Sequence, residues 1–446
     1  MPAHDLETLR TFRTVLHGCF RRRGDALFEL VDALLAAETV TSLPHLSLQA
    51  AHRRGWGSLY DALAEGSLDV AALQRLLTWQ AAGDGPAVYA VDLSVWPRCD
   101  AEASPQRGFY YHPSRHSAGQ PIVAGWAYQW LAHLSFTQDS WTTPLDVRRV
   151  HPRQNANVIA VEQITHLLSR LPPESPPPLF VFDAGYDSAH LTRGVEELPV
   201  AVLVRLRGDR CFYADPPPAV PSPKGGRPRI HGAKFACKDP ATWPPPSAEH
   251  VTEDEQYGTV RVRTWGGLHP KQQLHPGRGT RKTRPIVRGT VVLVEVNRLP
   301  ARPYPPQRLW LWWAGADTPD LDLLWRSYVR RFDLEHTLRF LKQSLGWTTP
   351  RVRHPEQADR WTWLVVAVYT QLRLARPWVV DRRLPWERPL DPGKLTPTRV
   401  RRTLSALLPE VGTPAVAPKP CGRSPGRPAG SRSGRATRYP ALKKAA

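Results

Sequence analysis

Apolar positions along this chain follow two patterns, a period near 3.6 residues and short continuous runs, and the two occupy different stretches. Residues 5–80 carry the helical period: Leu6, Leu9, Phe12 and Val15 recur, and Ala71, Leu73, Leu76 and Leu77 share a face further on. At Ala87 the texture changes. The run Ala87-Val88-Tyr89-Ala90-Val91 closes on Asp92, which predicts a buried strand delivering a carboxylate at its C-terminal end. Strands are predicted at 121–135 and about 141–150, then a helix over 155–171. A second buried strand, Leu179–Phe182, again closes on an acid, Asp183, and 201–204 predicts a further strand. Residues 207–309 interrupt the regularity with Pro, Gly, Arg and Lys, leaving strand-like stretches at 258–265 and 289–296. A strand is predicted over 308–313, a long helix from near Leu321, and an apolar helix over 357–375. There is no internal repeat.

Composition adds partners and compartment. The 446 residues leave room for two or three domains, and 17 tryptophans with 41% hydrophobic residues predict that most of the chain folds. The 47 prolines exceed what one compact domain holds, so Pro216-Pro217-Pro218 and Pro244-Pro245-Pro246 read as linkers or loop tips. A net charge of +20 points to a polyanionic partner. The plainer alternative is solvated surface charge in an Arg-rich protein. Five scattered cysteines with no CxxC pair indicate neither a zinc module nor a disulfide framework. The N-terminus has early acids and no apolar signal core, and no apolar run approaches the roughly 18 residues of a membrane span. The expectation is a reducing, soluble, cytoplasmic setting without a membrane. Beyond Glu410 there is no acid, and Lys and Arg are spaced by Gly, Ser and Pro, which predicts a disordered basic tail.

Two-metal phosphodiester chemistry needs carboxylates converging from different elements to hold ions about 3.5–4 Å apart. Asp92 and Asp183 would meet at one sheet edge if their strands are neighbours. Either acid alone is as well explained as the start of a turn or a helix cap. The helix over 328–346 adds to this. Tyr328, Arg331, Glu335 and Lys342 stand at offsets of minus seven, minus four, zero and plus seven from Glu335, hence on one face. Leu334, Leu338, Leu341 and Leu345 form a second stripe that would bury the helix. The competing reading of the polar face is ordinary salt links, Glu335 with Arg331 or Arg339.

Tyr328-x2-Arg331-x3-Glu335-x6-Lys342 resembles the Y-R-E-K signature of DDE transposases of the insertion-sequence-four type. The first acid after an apolar strand, Asp92, and the D-x-G-Y element Asp183-Ala184-Gly185-Tyr186 are similar to that family's other two motifs, and the resemblance spans about 87–376. It implies an α/β fold: a ribonuclease H-like mixed sheet flanked by helices, with a β-strand-rich insertion between the second Asp and the Glu. The 151 residues between Asp183 and Glu335 leave space for one. It implies that Asp92, Asp183 and Glu335 ligate two Mg2+ ions, with Mn2+ as a substitute, and that Tyr328, Arg331 and Lys342 handle DNA phosphates near the cut. Cleavage at transposon ends would free a 3′-hydroxyl that attacks target DNA, with double-stranded DNA as partner, a homodimer in the synaptic complex and a nucleoid-associated location. Some relatives stack a flipped base on a Trp of the insertion, and Trp310 in Trp310-Leu311-Trp312-Trp313 is similar to that element. Three tryptophans so close are equally explained as core and sheet residues.

The expected division is a helical N-terminal domain over 1–82, a DNA-end binder or a brace; the core's first part over 83–206; a basic β-rich insertion over 207–318; the core's second part over 319–380; and the tail over 381–446. Lys224-Gly225-Gly226-Arg227-Pro228-Arg229 resembles an AT-hook core and reads equally as a flexible basic segment. The run from Lys271 to Arg288 suits phosphates rather than bases. Asp187 is expected to cap a helix. Two other readings stay open: a silent transposase-derived DNA binder, and a ribonuclease H-like nuclease that cuts without joining.

Overall fold

A computed structural model describes residues 6–81, 85–112, 121–137, 139–218, 229–271, 286–299, 307–420, 426, 428–432 and 434–443. The AT-hook-like stretch up to Pro228, and the basic run between Lys271 and Ile286, lie outside the described residues. The chain divides into two compact units, one of residues 1–85, 93–155 and 333–446, the other of 86–92 and 156–332.

The N-terminal stretch is helical as expected, with one small addition. Helix α1 (Leu6–Gly18) is followed by β1 (Phe20–Arg22), α2 (Gly24–Ala36), α3 (Leu43–Leu46), α4 (Gly57–Glu65), β2 (Ser67–Leu68) and α5 (Val70–Trp79), and β1 pairs antiparallel with β2. Helix α1 buries Leu9, Phe12, Arg13 and Leu16, while Val15 is 46% exposed. A step of three drifts off an axis of 3.6 residues per turn, so the inward stripe must alternate steps of three and four. Asp69 starts α5 by accepting the Ala72 amide at 2.9 Å.

Strand β3 (Val88–Pro97) is ten residues long and passes from the second unit into the first. The expected strand end at Asp92 is therefore corrected: the acid lies inside the strand. The apolar run stops there because burial changes, from full burial at Val88–Val91 to partial burial at Asp92 and Leu93. In the first unit, β4 (Gly108–Tyr111), β5 (Ile122–Leu134) and β6 (Thr142–Val150) pair antiparallel, β5 in the middle. The Arg98 amide, just past β3, donates to Ala124 on β5 at 2.7 Å. Trp96, Tyr128 and Trp130 close on Trp347, with ring centroids 6.1, 5.6 and 5.0 Å from it.

The second unit holds α6 (Ala156–Leu168), β7 (Leu179–Phe182), α7 (Ser188–Gly194), β8 (Ala201–Leu206), β9 (Cys211–Tyr213), β10 (Lys234–Ala236), β11 (Ala248–Asp254), β12 (Gly258–Pro270), β13 (Gly289–Val296), β14 (Gln307–Ala314) and α8 (Leu321–Arg330). Its strands run in the order β10-β9-β12-β13-β14-β8-β7-β3, with β11 on β12. The trio β3, β7 and β8 is parallel, and β14 joins β8 antiparallel. The basic insertion thus extends the parallel strands rather than forming its own sheet. The long apolar runs of β7 and β8 suit strands covered on both faces.

The first unit resumes with α9 (Phe332–Gln343), α10 (Pro355–Ala375) and α11 (Pro397–Val411). Leu334, Leu338, Leu341 and Leu345 are all buried, so the apolar stripe falls where the spacing predicts. The expected continuous helix through 328–346 is instead interrupted at Arg331, where α8 ends and α9 begins. Helix α10 is buried nearly all round from Trp361 to Leu372.

The expectation of a disordered basic tail is corrected for the described residues that make the contacts below. Helix α11 occupies 397–411, and basic side chains of this unit hold the backbone after it. Arg13 donates to Gly412 O at 2.8 Å, Arg53 to Ala415 O at 2.8 Å and Arg54 to Val416 O at 3.0 Å. Further on, the Tyr439 amide donates to Glu102 O at 2.8 Å, and Arg107 donates to Tyr439 O at 2.7 Å. Composition signals a weak core but is blind to backbone carbonyls recruited by arginines elsewhere. Among the described residues no helix is long and apolar enough to cross a membrane.

Candidate active site

Two acids far apart in sequence are brought together by strand register. β3 and β7 pair in parallel as Val88↔Leu179, Tyr89↔Phe180, Ala90↔Val181 and Val91↔Phe182. One step further stand Asp92 and Asp183. Neighbouring strands lie about 4.8 Å apart, and partners in a parallel register point to the same face. Both acids are partly buried. The same row continues onto β8, where Phe182 pairs with Val204 and Arg205 follows. The row therefore reads acid, acid, cation.

The turn after β7 shapes the second acid. The Gly185 amide donates to Asp183 Oδ1 at 2.9 Å, and a Cβ at Gly185 would sit 3.1 Å from that oxygen. Any larger residue at 185 would press on the carboxylate, which would have to shift by a few tenths of an ångström. Tyr186 is buried, its ring 5.0 Å from Phe182. Burial, then the charges of Asp92 and of Asp183, push its hydroxyl well above the ordinary tyrosine value, and Arg331 pulls the other way. One phenol thus senses both acids and Arg331. Asp187 caps α7 by accepting the His190 amide at 2.9 Å, the expected structural role.

Tyr328 and Arg331, which the spacing places on the polar face of the helix, are both buried, at 3% and 4% exposure. The Arg331 guanidinium carbon lies 5.7 Å from the centre of the Tyr328 ring and 5.4 Å from that of Phe332. The hydroxyls of Tyr328 and Ser327 are buried without a hydrogen-bond partner among the described residues, an arrangement that costs about 1–3 kcal/mol each. Glu335 and Lys342 belong to the other unit, both partly exposed on α9, with Lys342 Nζ 5.8 Å from the centre of the Trp347 ring. Trp310 is 4% exposed on β14 and packs against Trp243, Phe235 and Trp265 with centroids at 5.2, 6.0 and 6.0 Å. Stacking a base there would require leaving that cluster.

Among the described residues, no three or more His, Cys, Asp or Glu side chains gather to hold a metal ion. The second unit offers two carboxylates, Asp92 and Asp183. That number suits Mg2+, which is usually held by one or two carboxylates together with substrate phosphates.

The large mixed sheet with its helices is consistent with a ribonuclease H-like domain of the DDE kind, and the paired acids on neighbouring parallel strands suit that class. Over residues 15–271, more than half of its length, the chain matches the family described as DDE superfamily endonuclease, and it belongs to that family. No curated protein matches it. The matched stretch contains Asp92 and Asp183 and ends before Tyr328, Arg331, Glu335 and Lys342. Enzymes of this family generally use divalent metals and act on DNA. Residue patterns alone did not single out Arg205 or Gly185's contact with the acid. The signal for Arg205 was present in the parallel runs ending Phe182-Asp183 and Val204-Arg205, but reading it requires the register.

Proposed function

We propose that this protein is a DDE transposase of the insertion-sequence-four type, which cuts DNA at transposon ends and joins the freed 3′-hydroxyl to target DNA. The observation that carries the reading is the in-register parallel pairing of β3 and β7, which sets Asp92 beside Asp183 in a DDE-family domain. Glu335 is the third acid of the proposal. Its support is the complete Y-R-E-K spacing and its place one helical turn beyond Arg331 along the chain.

Divalent ions, when bound, supply an activated water and stabilise the leaving oxygen of an in-line displacement. The chain's own groups have separable tasks. Asp92 and Asp183 provide the anionic pair, with Asp183 oriented by the Gly185 amide. Arg331, which acts on the same Tyr186 hydroxyl as both acids, would balance their charge, and the buried Tyr328 hydroxyl, without a partner among the described residues, would have to be uncovered before it could donate to a phosphate oxygen. Lys342 adds a phosphate contact. Trp310 is assigned to the core. A dimer joining two transposon ends belongs to the same proposal.

Asp92→Asn, Asp183→Asn and Glu335→Gln should each abolish Mg2+-dependent cleavage of a transposon-end duplex while leaving its binding largely intact, and EDTA should stop the wild type. Mn2+ should restore the EDTA-treated protein. Normal cleavage by any one variant removes that residue from the site. A strand-transfer assay separates joining from cutting: cleaved ends that never enter target DNA would reduce the proposal to a nuclease.

A further inference from the structure

A cavity of about 880 Å³ in the second unit opens from Ala184 and Tyr186, the residues directly after Asp183. Its polar lining is dominated by Arg193 on α7, Arg205 on β8, Arg207 and Arg210 before β9, and Lys271 after β12. All five are exposed. None has a side-chain hydrogen bond or carboxylate partner among the described residues. Among the described residues two acids line the same space, Asp187 and Asp209, and Asp187 is already engaged in capping α7.

Elsewhere this protein pairs its arginines. Arg288 holds Asp215 at 3.0 Å, Arg263 holds Glu295 at 2.6 Å and Arg326 holds Asp322 at 2.7 Å in the same unit. Five unpaired cations around one concavity repel one another and draw in a polyanion. Arg205 occupies the row of Asp92 and Asp183, about 10 Å from Asp92 by two strand spacings. Ala184, the residue after Asp183, lines the cavity, and so does Arg205 from the same strand row. The cavity therefore begins next to the second acid.

We propose that this cavity is a backbone-binding channel, holding consecutive phosphates of the DNA strand on one side of the bond to be cut. The inference rests on the reading of Asp92 and Asp183 as the cleavage site. Guanidinium forks match phosphate oxygens in pairs. Exposed side chains that reach only phosphates position DNA without reading its sequence. The channel thus contributes affinity and register, and sequence recognition lies elsewhere.

The test measures binding of the full-length protein to a short fluorescent duplex in EDTA, across about 50–200 mM salt. The triple variant Arg193→Ala/Arg207→Ala/Arg210→Ala should lose at least tenfold in affinity. Its plot of log affinity against log salt should flatten by about two to three, close to one unit per lost phosphate contact. Arg207→Gln alone should flatten it by about one, which keeps the test available if the triple variant folds poorly. A control that removes equal charge from exposed positions of the other unit, Arg382→Ala/Arg383→Ala/Arg388→Ala, should keep the wild-type slope. An unchanged slope in the cavity variants, an equal loss in the control, or no duplex binding by the wild type overturns the channel. Cleavage by a wild type whose cavity variants bind normally removes the channel and spares the transposase reading. Salt-sensitive binding lost in the variants, with no Mg2+-dependent cleavage by the wild type, does the reverse.

Discussion

Asp183 is held by the turn that follows it, and Gly185 is the residue on which this depends. Its φ lies outside the left-handed region, so alanine fits the backbone there. The obstacle is the 3.1 Å approach of a Cβ to Asp183 Oδ1, closer than an ordinary van der Waals contact. The carboxylate must give way. Gly185→Ala is therefore expected to lower Mg2+-dependent cleavage by about tenfold to a hundredfold, because small displacements of a reacting group are costly. The thermal midpoint should move by less than about 4 °C, since Gly185 itself is exposed. Full activity in this variant would mean that the orientation of Asp183 does not depend on the turn. Asp183 was legible as a strand-end acid, whereas its support was not. The motif shows a glycine, and only coordinates show which atom lies opposite it.

Among the elements, the helices of the first unit are tied by Arg13. From α1 it reaches Asp32 on α2 at 2.7 Å, Gln371 on α10 at 2.6 Å and the Gly412 carbonyl after α11 at 2.8 Å. Arg13 and Asp32 are nearly fully buried. Removing one member of a buried pair strands the other charge, at about 3–5 kcal/mol, whereas replacing both by apolar groups is often neutral. Asp32→Ala should therefore lower the urea unfolding free energy by about 3–5 kcal/mol, and Arg13→Met combined with Asp32→Ala should recover part of it, since Arg13 also serves Gln371 and the Gly412 carbonyl. An additive double variant would contradict this account. Most elements from α6 to α10 matched their expected spans within a few residues, because their apolar runs are long. The short strands β4, β9, β10 and β11 escaped notice, being too brief or too polar to carry a period. Arg13 itself resembled an ordinary surface arginine of an amphipathic helix.

For the molecule as a whole, buried tyrosines set an alkaline limit. Burial raises Tyr89 and Tyr110 to about 12 and Tyr128 and Tyr186 well above the ordinary value, and Tyr369 is raised too. In the unfolded chain these phenols ionise near pH 10. Between that value and the raised folded ones the unfolded chain sheds protons that the folded chain retains. Unfolding is then favoured as pH rises. The urea midpoint should hold steady up to about pH 10 and fall steeply by about pH 11–12. A midpoint that persists through that window would mean that these hydroxyls ionise freely in the folded protein.

By itself the sequence determined the alternation of helical and strand segments, the basic balance and the two strand-borne acids, because each is written in local residue order. Neighbourhood across strands was decided only by the tertiary structure. Register set Asp92 beside Asp183 and Arg205 beyond them, burial enclosed Tyr328, Arg331 and Trp310, and arginines captured the chain after α11. Side-chain period reports which way a residue faces, but not which distant residue it faces.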